Sequence, residues 1–93
     1  MRTIRHSTRF KKDYKREKKG QYRAVIERDL PSVISMLAND ATLPPRLSDH
    51  ALTGEWQGYR DCYIKPDLVL IYRKPDAESL ELARLGSHSE LAF

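Results

Sequence analysis

"GYRDCYIKPDLVLIYR", residues 58–73, decides how the chain is read. Its second half, Leu68 through Tyr72, is the apolar run that a sheet buries. "KPD" before it is short enough for an antiparallel turn. The first half carries Arg60, Asp61 and Lys65 beside Tyr59, Tyr63 and Ile64, heavy charge for a central strand. Side chains alternate along a strand, so Tyr59, Asp61 and Tyr63 point one way and Arg60, Cys62 and Ile64 the other. Cys62 and Ile64 suit the side under helices. Tyr59, Asp61 and Tyr63 then belong on an open side, where a carboxylate between aromatics need not be buried. The charge marks that face as a candidate site.

Working outward, three strands are expected at about 58–65, 68–74 and 79–85, joined by "KPD" and "KPDAE". Near the start, "RTIRH" reads as a short strand. Ser7 or Thr8 caps a helix from about Arg9, with Phe10, Tyr14, Tyr22, Val25 and Ile26 roughly at helical spacing. Gly20 ends or weakens it. Asp29 as a capping carboxylate and Pro31 in the first turn open a second helix, whose stripe is Leu30, Val33, Ile34 and Leu37. "ANDATLPPRLSDHALTGEWQG" is a long turn-rich connection, and loops of that length in small domains usually carry function. The order β-α-α-β-β-β implies one α+β domain over residues 1–93. An antiparallel sheet would carry a helical pair on one face and leave the other free for a ligand.

Lys and Arg total 17 against 13 acids, giving a net charge of +4. Nine of those cations, Lys11 and Lys15 among them, fall between Arg2 and Lys19, against Asp13 and Glu17. Such a block fits phosphate binding or a solvated helix face, and charge alone leaves both open. The lone Cys62 excludes an internal disulfide and reads as a buried thiol. Neither a signal peptide nor an apolar run of membrane-spanning length is present, so a cytoplasmic protein without a membrane partner is expected.

Of three histidines, His6 beside the helix cap reads as structural. His50 in the loop and His88 in the tail flank a strand pair carrying Asp61 and Asp67. RNA cleavage by its own 2′-hydroxyl needs a base, an acid for the leaving 5′-oxygen, and positive charge near the phosphate. Imidazole and carboxylate groups suit the proton transfers. Arg60, Lys65 or Arg84 supply charge, and Tyr59, Tyr63, Trp56 or Phe93 offer stacking surfaces for unpaired bases. Trp56 has an equally good reading as a plug at the end of the core. A metal site from the same histidines and aspartates is the weaker reading, because no close-spaced pair such as HxH occurs.

These same residues carry a family likeness. "LPPRLSDHALTGEWQGYRDCYIKPDLVLIYR" followed by "LARLGSHSELAF" resembles the YafQ branch of the RelE/ParE toxin superfamily, small bacterial toxins of type II toxin–antitoxin systems. The resemblance implies a RelE-like fold and an endoribonuclease that cuts mRNA in the ribosomal A site, beside 16S rRNA, without metal or cofactor. It also implies a cognate antitoxin, ribbon-helix-helix-like, that neutralises the toxin in a heteromeric complex. Carried over by position, the functional set is His50, Asp61, Asp67, His88 and Phe93. His88 is expected as general acid, and His50, assisted by Asp67, as base or as the group orienting the 2′-hydroxyl. Asp61 would position a neighbour or substrate, and Phe93 would hold a base. Lys11, Lys15, Arg60, Tyr63, Lys65 and Arg84 are the expected RNA contacts. Two departures stand out: Tyr63 occupies a place where relatives often have histidine, and Ala92 interrupts a tail that usually runs "HSELF". The competing readings are a ParE-like inhibitor of DNA gyrase and a basic RNA-binding domain without activity.

Overall fold

A computed structural model describes residues 1–91, so Ala92 and Phe93, including the expected role of Phe93, lie outside the described residues. The chain runs β1 (Thr3–His6), α1 (Thr8–Lys18), α2 (Arg23–Arg28), α3 (Leu30–Ala38), β2 (His50–Ala51), β3 (Arg60–Lys65), β4 (Leu68–Arg73), β5 (Ser79–Gly86) and α4 (His88–Leu91). Short 3₁₀ turns at Pro45–Leu47 and Gly54–Trp56 bracket β2. The α+β class stands as read from the sequence.

The sheet has five strands in the order β1-β5-β4-β3-β2. β3, β4 and β5 form the expected antiparallel hairpins, and β2 adds antiparallel to β3. β1 is the exception: it pairs with β5 in parallel, Thr3 opposite Ser79 through His6 opposite Leu82. Parallel neighbours need a crossover between them, and here the helical layer lies in that crossover.

Ser7 caps α1 as expected, its Oγ accepting from the Phe10 amide at 3.0 Å while its hydroxyl donates to the Ala83 carbonyl at 2.7 Å. Gly20 falls in a turn that breaks the expected first helix, so the layer holds α1, α2 and α3 rather than a pair. Asp29 makes no side-chain cap bond; its carboxylate faces Arg28 at 3.0 Å and Lys65 at 3.8 Å instead. Pro31 does sit in the first turn of α3, where its missing N–H costs nothing.

Phe10, Ile26, Leu30, Val33 and Leu37 from the helices pack on Cys62, Ile64, Leu68, Leu70, Tyr72, Leu80, Leu82 and Leu85. Alternation along β3 therefore assigned Cys62 and Ile64 correctly. Burial also pushes the Cys62 thiol up to about 12, which makes it inert. The opposite face departs from expectation. It is not open, because Val69, Ile71, Ala83 and Leu91 form a second small core with Leu52, Trp56, Tyr59 and Tyr63 packed on it. Trp56 meets Tyr59 edge-on at 5.1 Å, so its ring serves as packing. The long loop and the tail supply this cover, and they also carry the two histidines.

Candidate active site

His50 is placed by a two-residue strand. β2 pairs with β3 so that His50 lies directly opposite Asp61. Ser48, two residues earlier, takes a left-handed backbone conformation (φ 47°), and its carbonyl lies 2.7 Å from His50 Nδ1. Asp49 anchors the same loop, accepting from the Tyr72 hydroxyl at 2.6 Å and from Arg60 Nε at 3.2 Å. The loop is thus held on both sides of the imidazole.

A carbonyl only accepts, so Nδ1 carries the proton of the neutral ring and Nε2 carries a lone pair. His50 Nε2 lies 3.0 Å from Asp61 Oδ1. Two lone pairs at that distance repel, so a proton resides on the pair. Asp61 is 0% exposed, against the expectation that it need not be buried. Neither of its oxygens has an aligned hydrogen-bond partner, and the imidazole approaches obliquely. Burial raises the Asp61 carboxyl above its ordinary range, with His50 and then His88 pulling the other way. A buried carboxyl left this way is costly, which points to a task beyond folding.

His88, the first residue of α4, stands on the other side of Tyr63. The Tyr63 hydroxyl lies 2.9 Å from His88 Nε2, and His88 Nδ1 lies 3.3 Å from Asp67 Oδ1. Asp67 Oδ1 also accepts from the His88 amide at 3.3 Å. Since the carboxylate only accepts, Nδ1 donates and the neutral ring takes the tyrosine proton at Nε2. The Tyr63 ring centroid lies 6.2 Å from that of His50 and 5.3 Å from that of His88. The result is a row: Asp61, His50, Tyr63, His88, Asp67.

The row revises the expected pairing. Asp67 lies against His88 rather than His50, and Asp61 is the carboxyl beside His50. The difference follows from register: β2 sets His50 against Asp61, while Asp67 in the β3–β4 turn faces the tail. Arg84 is also reassigned, because it bonds Asp13 of α1 at 2.7 Å and lies largely buried instead of offering charge to a ligand. Burial works to raise the Asp13 carboxyl, but Arg84, the Leu85 amide and Arg16 outweigh it and hold it low. Lys11 and Lys15 border a groove with His6, Phe10 and Tyr14 on α1, a surface separate from the histidine row. Arg60 is exposed and held by Asp49. Lys65 lines a cleft of about 460 Å³ with Tyr63, Ser48, Ile64, Pro66 and Arg46. Arg46 is a cation that sequence reasoning passed over, although it sits inside "LPPRLSDH" three residues before Asp49.

Residues 2–93 match the family model of the bacterial toxin of type II toxin–antitoxin systems, YafQ. The chain belongs to the YafQ toxin family. An mRNA interferase toxin YafQ of Escherichia coli K12 is 36% identical over 91 residues, 97% of this chain and 95% of that protein. A copper-bound mutant toxin from Helicobacter pylori superposes with a TM-score of 0.84 at 41% identity, covering 98% of this chain and 99% of that one. YafQ in the E. coli DinJ–YafQ complex superposes at 0.81 with 33% identity, covering 98% of each chain. The YafQ fold of this chain, among its described residues, arranges no group of three or more His, Cys, Asp or Glu side chains for a metal ion. Nor is any of its helices long and apolar enough to cross a membrane.

Proposed function

We propose that this YafQ-family chain is an mRNA interferase that cleaves messenger RNA in the ribosomal A site by attack of the 2′-hydroxyl on the adjacent phosphodiester. One observation carries the reading: two imidazoles, each with its own carboxyl partner, stand on either side of a single tyrosine ring. Such a pair supplies a base and an acid within reach of one phosphate.

With the shared proton on Asp61, the placement its burial favours, His50 Nε2 keeps a lone pair. The oblique contact lets an incoming 2′-hydroxyl give its proton to that nitrogen, while the Ser48 carbonyl holds Nδ1–H and the ring plane. On the other side, the acid step requires His88 with both ring protons in place, Nδ1–H toward Asp67 and Nε2–H toward the Tyr63 oxygen. Tyr63 passes its hydroxyl proton to the departing 5′-oxygen and receives the Nε2 proton of His88 in return. Tyrosine here does by relay what an imidazole at the same place does directly. Arg46 and Lys65, which line a cleft with Tyr63 and also face Asp29, are the cations proposed to supply positive charge where the phosphorane gathers negative charge.

The toxin is proposed to act in the cytoplasm, where the ribosome is, and to be held inactive by a ribbon-helix-helix-like antitoxin. The E. coli relative's complex with DinJ supports an antitoxin partner. The basic block on α1, including Lys11 and Lys15, suits an acidic segment that folds on binding. The test is induction of the wild type and of a His50→Ala, His88→Ala double variant in a host without antitoxin, with RNA ends mapped on translated messages. The wild type is expected to arrest growth and leave cuts within codons, the variant neither. Equal arrest by both, or arrest without cuts, overturns the reading.

A further inference from the structure

The tail motif "GSHSEL" spends only one residue on the histidine row. Its other members form a clamp. The Ser87 amide donates to Glu90 Oε1 at 2.9 Å, and the Glu90 amide donates to Ser87 Oγ at 3.2 Å. These two reciprocal bonds close the turn on which His88 stands. α4 has four residues and cannot hold itself, since an isolated turn of helix is unstable. Leu91, 3% exposed, pins its far end into the second core.

The near end is held from across the molecule. Arg16, in the second half of α1, reaches Glu90 Oε2 with Nε at 2.9 Å and the Leu85 carbonyl with Nη2 at 2.9 Å. Asp13 at 3.0 Å and Glu17 at 2.9 Å fix the guanidinium from its own helix. Gly86 leaves the space this needs: a Cβ there would stand 2.7 Å from Arg16 Nη2 and 3.1 Å from Glu90 Oε1. Its backbone takes no left-handed angle, so the requirement is room and not conformation. None of these three residues belongs to the histidine row, yet together they set where its last imidazole sits.

We infer that Arg16 and Glu90 are positioning residues for His88, acting through the Ser87 turn, with Gly86 as the gap that admits them. The inference rests on the reading of His88 as the acid. The basic helix, then, holds the catalytic tail in register with Tyr63 and Asp67.

The test compares Glu90→Ala, Glu90→Gln and Gly86→Ala with wild type and His88→Ala. Cleavage of a translated message is followed alongside an NMR titration of the His88 ring. Glu90→Ala and Gly86→Ala are expected to slow cleavage by about a hundredfold, the scale of a 1 Å misplacement. Their His88 resonances should move to those of a ring without Tyr63 or Asp67 contacts. Glu90→Gln keeps one oxygen, for the Ser87 amide, and turns an amide NH2 toward Arg16, so it should fall between wild type and Glu90→Ala in both readouts. The added methyl at residue 86 meets the side-chain ends of Arg16 and Glu90 and no backbone, so Gly86→Ala is expected to displace the clamp and still fold where Glu90→Ala does not. Wild-type cleavage and titration in Gly86→Ala or in Glu90→Ala overturn the inference, and wild-type values in Glu90→Gln remove Arg16 from the clamp. Equal cleavage by wild type and His88→Ala removes the acid assignment instead, and the titration alone then judges the clamp.

Discussion

At the scale of single residues, Tyr63 and Asp61 carry the most specific expectations. Tyr63→Phe keeps the ring between the imidazoles and removes only the hydroxyl at 2.9 Å from His88. Cleavage should fall by about 10²–10⁴, the usual value of a positioned proton donor, with the thermal midpoint nearly unchanged. A rate within a few-fold of wild type would remove the relay. Asp61 makes a prediction about stability. Its carboxyl is raised in the fold, so the native state keeps a proton that the unfolded chain has lost above about pH 4. That contribution is complete below the unfolded value and disappears as pH rises through the native one. Asp61→Asn should therefore flatten the fall in urea midpoint with rising pH across that window, and an unchanged slope would contradict it. The sequence located Asp61 on the right face through simple alternation. It gave no sign of burial, because burial comes from the loop and tail that fold over that face.

At the scale of elements, legibility followed signal length. Six- and eight-residue strands such as β4 and β5 announce themselves by apolar content. β2 has two residues, below any alternation signal, and yet its register decides which aspartate serves His50. The expected pairing of Asp67 with His50 came with the family likeness, and a strand of two residues left nothing in the sequence to set Asp61 opposite His50 instead. The split between α1 and α2 was half legible in Gly20, and parallel pairing of β1 needed knowledge of where the crossover ran. The loop that builds β2 has its own weak point. Gly58, just before β3, takes φ +92°, a conformation that costs a residue with a Cβ about 1–2 kcal/mol. Gly58→Ala should lower unfolding free energy by about that amount in a denaturant titration. Cleavage should fall further than stability alone explains, because the Leu52–Tyr59 bond that closes the loop shifts with it. An alanine variant as stable and active as wild type would show that the loop is held elsewhere.

At the scale of the whole molecule, the net charge of +4 is divided between surfaces. α1 presents Lys11 and Lys15 along one groove, while Arg46 and Lys65 flank the histidine row. If only the second set meets RNA, neutralising Arg46 and Lys65 should weaken single-stranded RNA binding and reduce its salt dependence, by about 0.7 in logarithmic slope per lost phosphate contact. Lys11→Gln with Lys15→Gln should leave that slope unchanged. The reverse pattern, read by fluorescence anisotropy across salt concentrations, would move the RNA path to the helix.

Cleavage by this row depends on two proton transfers at one phosphodiester, served from opposite sides of Tyr63. The most direct measurement places a message with sulfur in place of the 5′-bridging oxygen at the cleavage position in a ribosomal A site. A thiolate leaves without a proton, so it needs no acid. With this substrate, His88→Ala and Tyr63→Phe should cleave at nearly the wild-type rate, while His50→Ala stays slow. Persistent loss in His88→Ala and Tyr63→Phe, or recovery of His50→Ala along with them, would contradict the assignment of acid and base.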